Sequence, residues 1–229
     1  MRLIAEKATK QFIRNRQGSN VLTAVSETDL VLKEGTLTVL SGPSGSGKST
    51  LLNMMAGLLP PDKGRILLDD TDLYSLDDAA LSKLRNRHIG VIPQGQTALY
   101  ALSVIENVMA PSILYQKPKG KDYEETFKYA GELLDRAGIA DLSDVMPSEL
   151  SGGEIRRMAV CRAMLLKPGI ILADEPTGDL DEENTGTVME LLKDHVKAGG
   201  SVMVVTHDIQ VRDYADILME MKQGVIYPQ

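Results

Sequence analysis

One octapeptide limits what this chain can fold into more than anything else in it. Gly42-Pro43-Ser44-Gly45-Ser46-Gly47-Lys48-Ser49 satisfies G-x-x-x-x-G-K-[ST]. The apolar, β-branched run Thr36-Leu37-Thr38-Val39-Leu40 precedes it. Ser49 to Gly57 follows and suits a helix that Gly57 and then Pro60-Pro61 end. From average residue usage, a chance match somewhere in a chain of this length is about one in a hundred, and the strand before and helix after supply the required context. Glycines let successive backbone N–H groups curl around phosphate oxygens, and the helix N-terminus aims its positive dipole end at the same anion. Lys48 adds a full charge, and the Ser49 hydroxyl is placed to ligate Mg²⁺. Nucleotide binding is the expectation, with Thr50 continuing the cradle.

Apolar runs without alternation, joined through helices, predict a parallel sheet covered on both faces. Leu30-Val31-Leu32, Arg65-Ile66-Leu67-Leu68, Ile89-Gly90-Val91-Ile92, Ile170-Ile171-Leu172-Ala173 and Val202-Met203-Val204-Val205 read as strands. Between Gly95 and Lys167 the pattern turns helical. Ser103 heads one helix, with Glu106 at capping-box spacing. Tyr123 to Ala137, closed by Gly138, is a second, and Glu154 to Lys167, closed by Pro168-Gly169, is a third. Another helix runs from about Asp181 to Lys197. The expected fold is α/β: a P-loop NTPase core of mostly parallel sheet with helices on both faces, interrupted by an all-helical lobe. The expected division is a core of about 1–94 and 168–229 with a helical subdomain of about 95–167, in one domain of 1–229.

Two further places invite anion chemistry. The strand Ile170 to Ala173 ends in Asp174-Glu175, at the edge where open parallel sheets bind ligands. Neighbouring strand residues point to opposite sides, so two acids there suit two tasks: Asp174 for the Mg²⁺ shell, and Glu175 for a water attacking the γ-phosphate. Leu150-Ser151-Gly152-Gly153-Glu154 opens a helix with free N–H groups, a second phosphate-binding design. Lys48 already has a complete cradle, so this second one needs another explanation.

Charge and composition prune the alternatives. Lys plus Arg is 25 against 32 for Asp plus Glu, a net charge of −7, the reverse of a free nucleic-acid binder, so no nucleic-acid partner is expected. The lone Cys161 leaves no intrachain disulfide and no cysteine-based metal site. The first residues are charged and lack the apolar core of a signal peptide, and no apolar stretch approaches the roughly 18 residues needed to span a bilayer. The expectation is a cytoplasmic protein that docks on something that spans.

With these segments in hand the chain resembles an ATP-binding-cassette (ABC) ATPase over essentially its whole length. Gly42–Thr50 matches the phosphate loop, Leu150–Glu154 the LSGGQ signature and Ile170–Glu175 the acidic strand. Gly178-Asp179-Leu180-Asp181 is similar to the D-loop, and Thr206-His207-Asp208 to the switch histidine. Gly42–Asn53, Glu106-Asn107-Val108 and Leu172–Gly178 look like the branch of lipoprotein-release, macrolide-efflux and cell-division ATPases (LolD-, MacB- and FtsE-like).

The resemblance implies N-terminal antiparallel strands beside the parallel sheet, and a head-to-tail pair with a second copy, each ATP lying between one phosphate loop and the partner's signature segment. Ser151, Gly152 and Gly153 would face that ATP, and Asp179 and Asp181 would cross the interface. Gln94 matches the glutamine that reaches Mg²⁺ and senses a membrane partner. His207 matches the residue that steadies the attacking water, and Phe12 the aromatic that stacks on adenine. The implied partner is a polytopic permease of the FtsX/MacB-like type, which places the chain on the inner face of the cell membrane. ATP hydrolysis would then drive export, lipoprotein release or force transmission. A soluble ABC ATPase serving assembly or regulation is the alternative. Departures from the family pattern are Glu154 in place of glutamine, Pro93 where an aromatic is common, Gly95-Gln96 after Gln94, and Asp179 in place of asparagine. None removes a catalytic group.

Overall fold

The computed structural model describes residues 1–13, 21–95, 97–114, 120–178 and 180–229. Two sheets organise them. β1 (Leu3–Ile13), β2 (Val21–Leu32), β4 (Lys63–Leu68) and β5 (Thr71–Asp72) form an antiparallel sheet in the order β2-β1-β4-β5. The second sheet has the order β10-β9-β3-β8-β7-β6, built from β3 (Leu37–Ser41), β6 (Ile89–Ile92), β7 (Ile170–Asp174), β8 (Ser201–Thr206), β9 (Ile217–Lys222) and β10 (Val225–Pro228). β6, β7, β8, β3 and β9 run parallel, and β10 closes the edge antiparallel.

The unbroken apolar runs have a direct cause. β3, β7 and β8 are buried at every residue, because successive side chains feed two different cores. Leu40, Leu172, Met203 and Val205 pack with Leu51, Leu52, Met54 and Met55 of α1 (Lys48–Met55) and with the antiparallel sheet. Val39, Ile171, Ala173, Val202 and Val204 face the other way. They join the apolar sides of α5 (Gly152–Met164) and α6 (Glu182–Lys197), and the same core takes in α3 (Val104–Ile113) and α4 (Lys121–Arg136).

Between β6 and β7 the chain is helical, as expected. The Ser103–Glu106 capping box forms at the head of α3, and Gly138 closes α4 at φ 66°. Asn107, fully buried, ties the preceding loop to α3: its Nδ2 donates to the carbonyls of Leu99, Leu102 and Ser103 at 3.0, 2.9 and 3.0 Å. β1 and β2 are the expected N-terminal antiparallel strands, though the sequence pattern located only the end of β2, and α2 (Asp78–His88), β9 and β10 were not expected.

Parallel register is what assembles the site. Ser41 lies beside Thr206, Val205 beside Asp174, and Ala173 beside Ile92. The carboxyl ends of β3, β8, β7 and β6 therefore come out side by side. The phosphate loop, His207, the acid pair and Gln94 leave the sheet at one edge.

Candidate nucleotide-binding site

The phosphate loop is held by backbone contacts no side chain could share. A Cβ on Gly42 would fall 2.2 Å from the Met221 carbonyl oxygen, and one on Gly47 would fall 2.0 Å from the Ala24 carbonyl oxygen. At Gly45 a Cβ would meet nothing within 4 Å, so the loop's mouth has room for a phosphate. The Ser46 hydroxyl is buried with no hydrogen-bond partner among the described residues, an orphaned donor inside the loop. Lys48 Nζ donates to the carbonyls of Gly42 at 2.7 Å and Pro43 at 3.1 Å. Burial pulls the lysine below its ordinary value, and the charges of Glu175 and then Asp174 pull it back up.

Across the loop stands the acid pair. Ser49 Oγ donates to Asp174 Oδ1 at 3.1 Å. Burial holds the Asp174 carboxyl above the usual carboxylate range. The Ser49 bond and the nearby Lys48 and Arg156 work against that rise, and Glu175 adds to it. A desolvated acid beside a hydroxyl is a fitting pair of ligands for a cation whose other ligands are phosphate and water. Among the described residues no cluster of three or more His, Cys, Asp and Glu could hold a metal by itself. The donor set suits Mg²⁺ arriving with a nucleotide rather than a resident ion.

The two acids diverge, though not by strand alternation as expected. β7 stops at Asp174, and Glu175 takes a left-handed conformation at φ 49°. That turn swings the Glu175 carboxylate toward the end of β8. Thr206 Oγ1 donates to its Oε2 at 2.7 Å, the His207 backbone N–H donates to Oε1 at 3.2 Å, and His207 Nδ1 lies 2.7 Å from the same oxygen. With Glu175 ionised, that last contact requires the proton on Nδ1. The imidazole is otherwise exposed.

A cleft of about 380 Å³ opens over these groups. It is lined by Ser44, Gly45, Ser46, Gly47, Lys48, Ser49, Thr50, Gln94 and Glu175, and on the far side by Phe12, Leu22 and Ala24 of the antiparallel sheet. The Phe12 ring is 38% exposed, with Lys10 Nζ 5.9 Å from its centroid. The cleft thus has a polar, cationic end and an apolar end, the division a nucleotide requires. Gly42 and Pro43 contribute the carbonyls under Lys48 rather than lining the cleft.

The signature segment is elsewhere. Ser151, Gly152, Gly153 and Asp181 do not line the cleft of their own chain. Asp181 caps α6, its Oδ1 accepting from the Asn184 backbone N–H and side-chain amide at 2.8 Å each. Asp179 and Gln96 lie outside the described residues. Ser151 caps α5 in a complete capping box: Glu154 Oε2 accepts from the Ser151 N–H at 2.7 Å and from its hydroxyl at 2.8 Å, while the Glu154 N–H donates to Ser151 Oγ at 3.3 Å. Those two Ser151 donors hold the Glu154 carboxyl below its usual range. Glu154 is therefore a structural partner of Ser151 and not merely a substituted side chain.

Sequence reasoning missed Thr206, Leu22, Ala24 and Arg156. Thr206 had a signal, since it precedes His207 at the strand end. The others reach the site only through tertiary packing.

Comparison with known proteins agrees with this geometry. The ABC transporter family model matches residues 25–178. The lipoprotein-releasing system ATP-binding protein LolD of Buchnera aphidicola subsp. Schizaphis graminum (strain Sg) is 36% identical over 220 residues, covering 96% of this chain and 93% of that protein. The macrolide export ATP-binding/permease protein MacB of Shewanella sp. (strain ANA-3) is 38% identical over 209 residues. That match covers 91% of this chain but 31% of MacB, so the chain spans about a third of such relatives. Among solved structures, the dimeric post-hydrolysis state of the ATP-binding cassette MJ0796 bound to ADP and Pi has a TM-score of 0.89 at 34% identity. It covers 99% of this chain and 98% of that one.

Proposed function

The chain belongs to the ABC transporter family, as one of its ATP-binding cassettes, and from that premise we propose that it is the ATP-hydrolysing subunit of a membrane complex. Two copies close around two ATP molecules and cleave them to drive a polytopic permease of the FtsX/MacB-like type, in export, lipoprotein release or force transmission. No described helix is long and apolar enough to cross a membrane, so attachment at the cytoplasmic face would come through the permease. The core of about 1–94 and 168–229 carries the cleft, and the helical subdomain of about 95–167 carries the signature segment.

The observation that carries the proposal is a mismatch within one chain. Lys48, Ser49 and Glu175 line one cleft, with Asp174 tied to it through Ser49 and His207 through Glu175, whereas the second anion-binding helix start, Ser151 to Gly153, lies outside it. A second copy would bring that helix start onto the first copy's triphosphate.

The residue roles follow from chemistry. Lys48 and the loop N–H groups from Ser44 to Thr50 bind the phosphates, and Phe12 takes the adenine ring. Ser49, Asp174 and Gln94 would hold Mg²⁺, which when bound neutralises phosphate charge. Glu175 orients water and takes its proton as the water oxygen bonds to the γ-phosphorus and the bond to ADP breaks. Thr206 and His207 hold the Glu175 carboxylate for that transfer, and His207 remains beside the γ-phosphate.

Glu175→Gln tests the reading. It keeps the shape and the Thr206 contact while removing the proton acceptor, so ATP should drive the variant from monomer to dimer on gel filtration, with hydrolysis lowered at least a hundredfold. A variant that binds ATP and stays monomeric refutes the sandwich.

A further inference from the structure

α5 is capped by Ser151 and reaches the chain's own site about one and a half turns later. Arg156 is 8% exposed although it carries a full charge. Its Nη1 donates to the Pro93 carbonyl at 3.5 Å, one residue before Gln94. On the other side it meets the turn after the acid pair. A Cβ built on Gly178 would lie 3.4 Å from the Glu175 carbonyl oxygen and 3.7 Å from Arg156 Nη2. One guanidinium therefore sits between the segment leading into Gln94, to which it donates, and the turn leading out of Glu175, which it flanks.

The neighbours of Gln94 make that placement mechanically useful. Pro93 fixes its own φ and stiffens the approach, while Gly95 follows at φ 90°, a conformation free for glycine. A pull on the Pro93 carbonyl is transmitted to Gln94 rather than absorbed before it. A helix is rigid over this distance, about 7.5 Å at 1.5 Å per residue, so displacement of the Ser151 end moves Arg156 with it.

We propose that Arg156 is a positioning residue: engagement of Ser151 by the partner copy's nucleotide is relayed along α5, through Arg156, to the same chain's Gln94 and Glu175. Each site is then aligned for hydrolysis only when its own chain's signature helix is occupied, which couples the two sites of the pair. This rests on the sandwich proposed above and adds the route between its halves. The field of the Arg156 guanidinium on Asp174 is a second consequence of the same placement.

The test is a double-mutant cycle on the full chain, with Arg156→Gln, Ser151→Ala and both together, read as kcat at saturating ATP. Arg156→Gln should lower kcat about tenfold while KM stays within twofold, since it moves groups used in the transition state and not the phosphate cradle. The double variant should be no slower than the slower single variant, because both lie on one route. Arg156→Lys keeps the charge and one donor but loses the fork, and should recover part of the rate. If Arg156→Gln does not fold, the cycle is run with Arg156→Lys. Multiplicative losses, or a KM that rises as kcat falls, overturn the relay. Failure of Glu175→Gln chains to pair with ATP overturns the sandwich itself. Pairing with multiplicative losses overturns this inference alone.

Discussion

Glu154→Gln isolates one electrostatic contribution to closure of the pair. In the resting chain the Glu154 carboxylate occupies both Ser151 donors, its Oε2 2.8 Å from Ser151 Oγ and 2.7 Å from Ser151 N. Those bonds keep it ionised at neutral pH. A phosphate oxygen taking the same hydroxyl would stand about 5.5 Å from the carboxylate, two hydrogen-bond lengths on. Two unit charges at that distance repel by about 3 kcal/mol at an effective dielectric of 20, and by about 0.8 kcal/mol in water. Glu154 is partly exposed, so the lower part of the range applies, about 1 kcal/mol per site. A symmetric pair has two such sites, giving about 2 kcal/mol, or roughly thirtyfold in the dimer dissociation constant. Glutamine preserves the box, since its amide oxygen accepts from the same donors, so thermal stability should change by a degree or less. The assay is sedimentation of Glu175→Gln chains, with and without Glu154→Gln, at saturating ATP. Adding Glu154→Gln should tighten the dimer about thirtyfold at low salt, and the gain should shrink as salt rises toward 0.5 M. An unchanged or weaker dimer refutes the reasoning, and a gain indifferent to salt assigns the effect to packing instead of charge.

Two further outcomes are expected. Phe12→Ala should weaken nucleotide binding by about 1–2 kcal/mol, five- to thirtyfold, with Phe12→Tyr within twofold of the parent, in a fluorescent-nucleotide titration. Equal affinity in the alanine variant would make Phe12 only a cover for the sheet edge. Asp174→Asn should raise the melting temperature of the nucleotide-free chain at neutral pH while weakening the Mg²⁺ dependence of ATP binding. Burial lifts the folded-state pKa of Asp174 above the ordinary carboxylate value, so its favourable contribution is present below that value and is lost as pH rises through the lifted one. The advantage of asparagine should therefore be absent near pH 3.5, grow upward from there and level off, in melts run across pH. A variant less stable at pH 7 contradicts the sign.

The parts of the site carried by contiguous motifs were legible because each motif sits at the carboxyl end of a buried strand, and buried strands announce themselves as apolar runs. That accounts for Gly42–Ser49, Asp174-Glu175 and His207. Other elements lacked such a signal. β1 breaks its own alternation, with register shifts between Ala5 and Lys10 and again at Gln11, so no period of two survives to be read. Its hairpin with β2 brings Leu22 and Ala24 to the apolar end of the cleft across a second sheet, a placement no local pattern encodes. α2 buries only Leu81 among its residues and offers too thin an apolar stripe. Glu154 is different. The Ser151–Glu154 spacing is the same capping box as Ser103–Glu106, so this pair is legible from the sequence by the same rule.

That capping box belongs to a wider arrangement. At rest the charged side chains Lys48, Asp174 and Glu175 and both donors of Ser151 have internal partners. Lys48 gives its protons to the Gly42 and Pro43 carbonyls, Glu175 takes bonds from Thr206 and His207, and Ser151 gives both of its donors to Glu154. Among the described residues Ser46 Oγ has none, and the N–H groups of Gly45, Gly47, Lys48, Ser49 and Thr50 donate to no internal partner. For the paired side chains binding therefore exchanges partners, each exchange contributing the difference between two hydrogen bonds, about 1 kcal/mol, whereas the loop N–H groups gain theirs outright. A site built this way keeps a folded, satisfied resting state and does not hold its ligand with the full strength its contacts suggest. An enclosure shared between two copies has to reopen after each hydrolysis. Internal partners that reclaim Lys48, Glu175 and Ser151 as ADP and phosphate leave lower the barrier to that reopening.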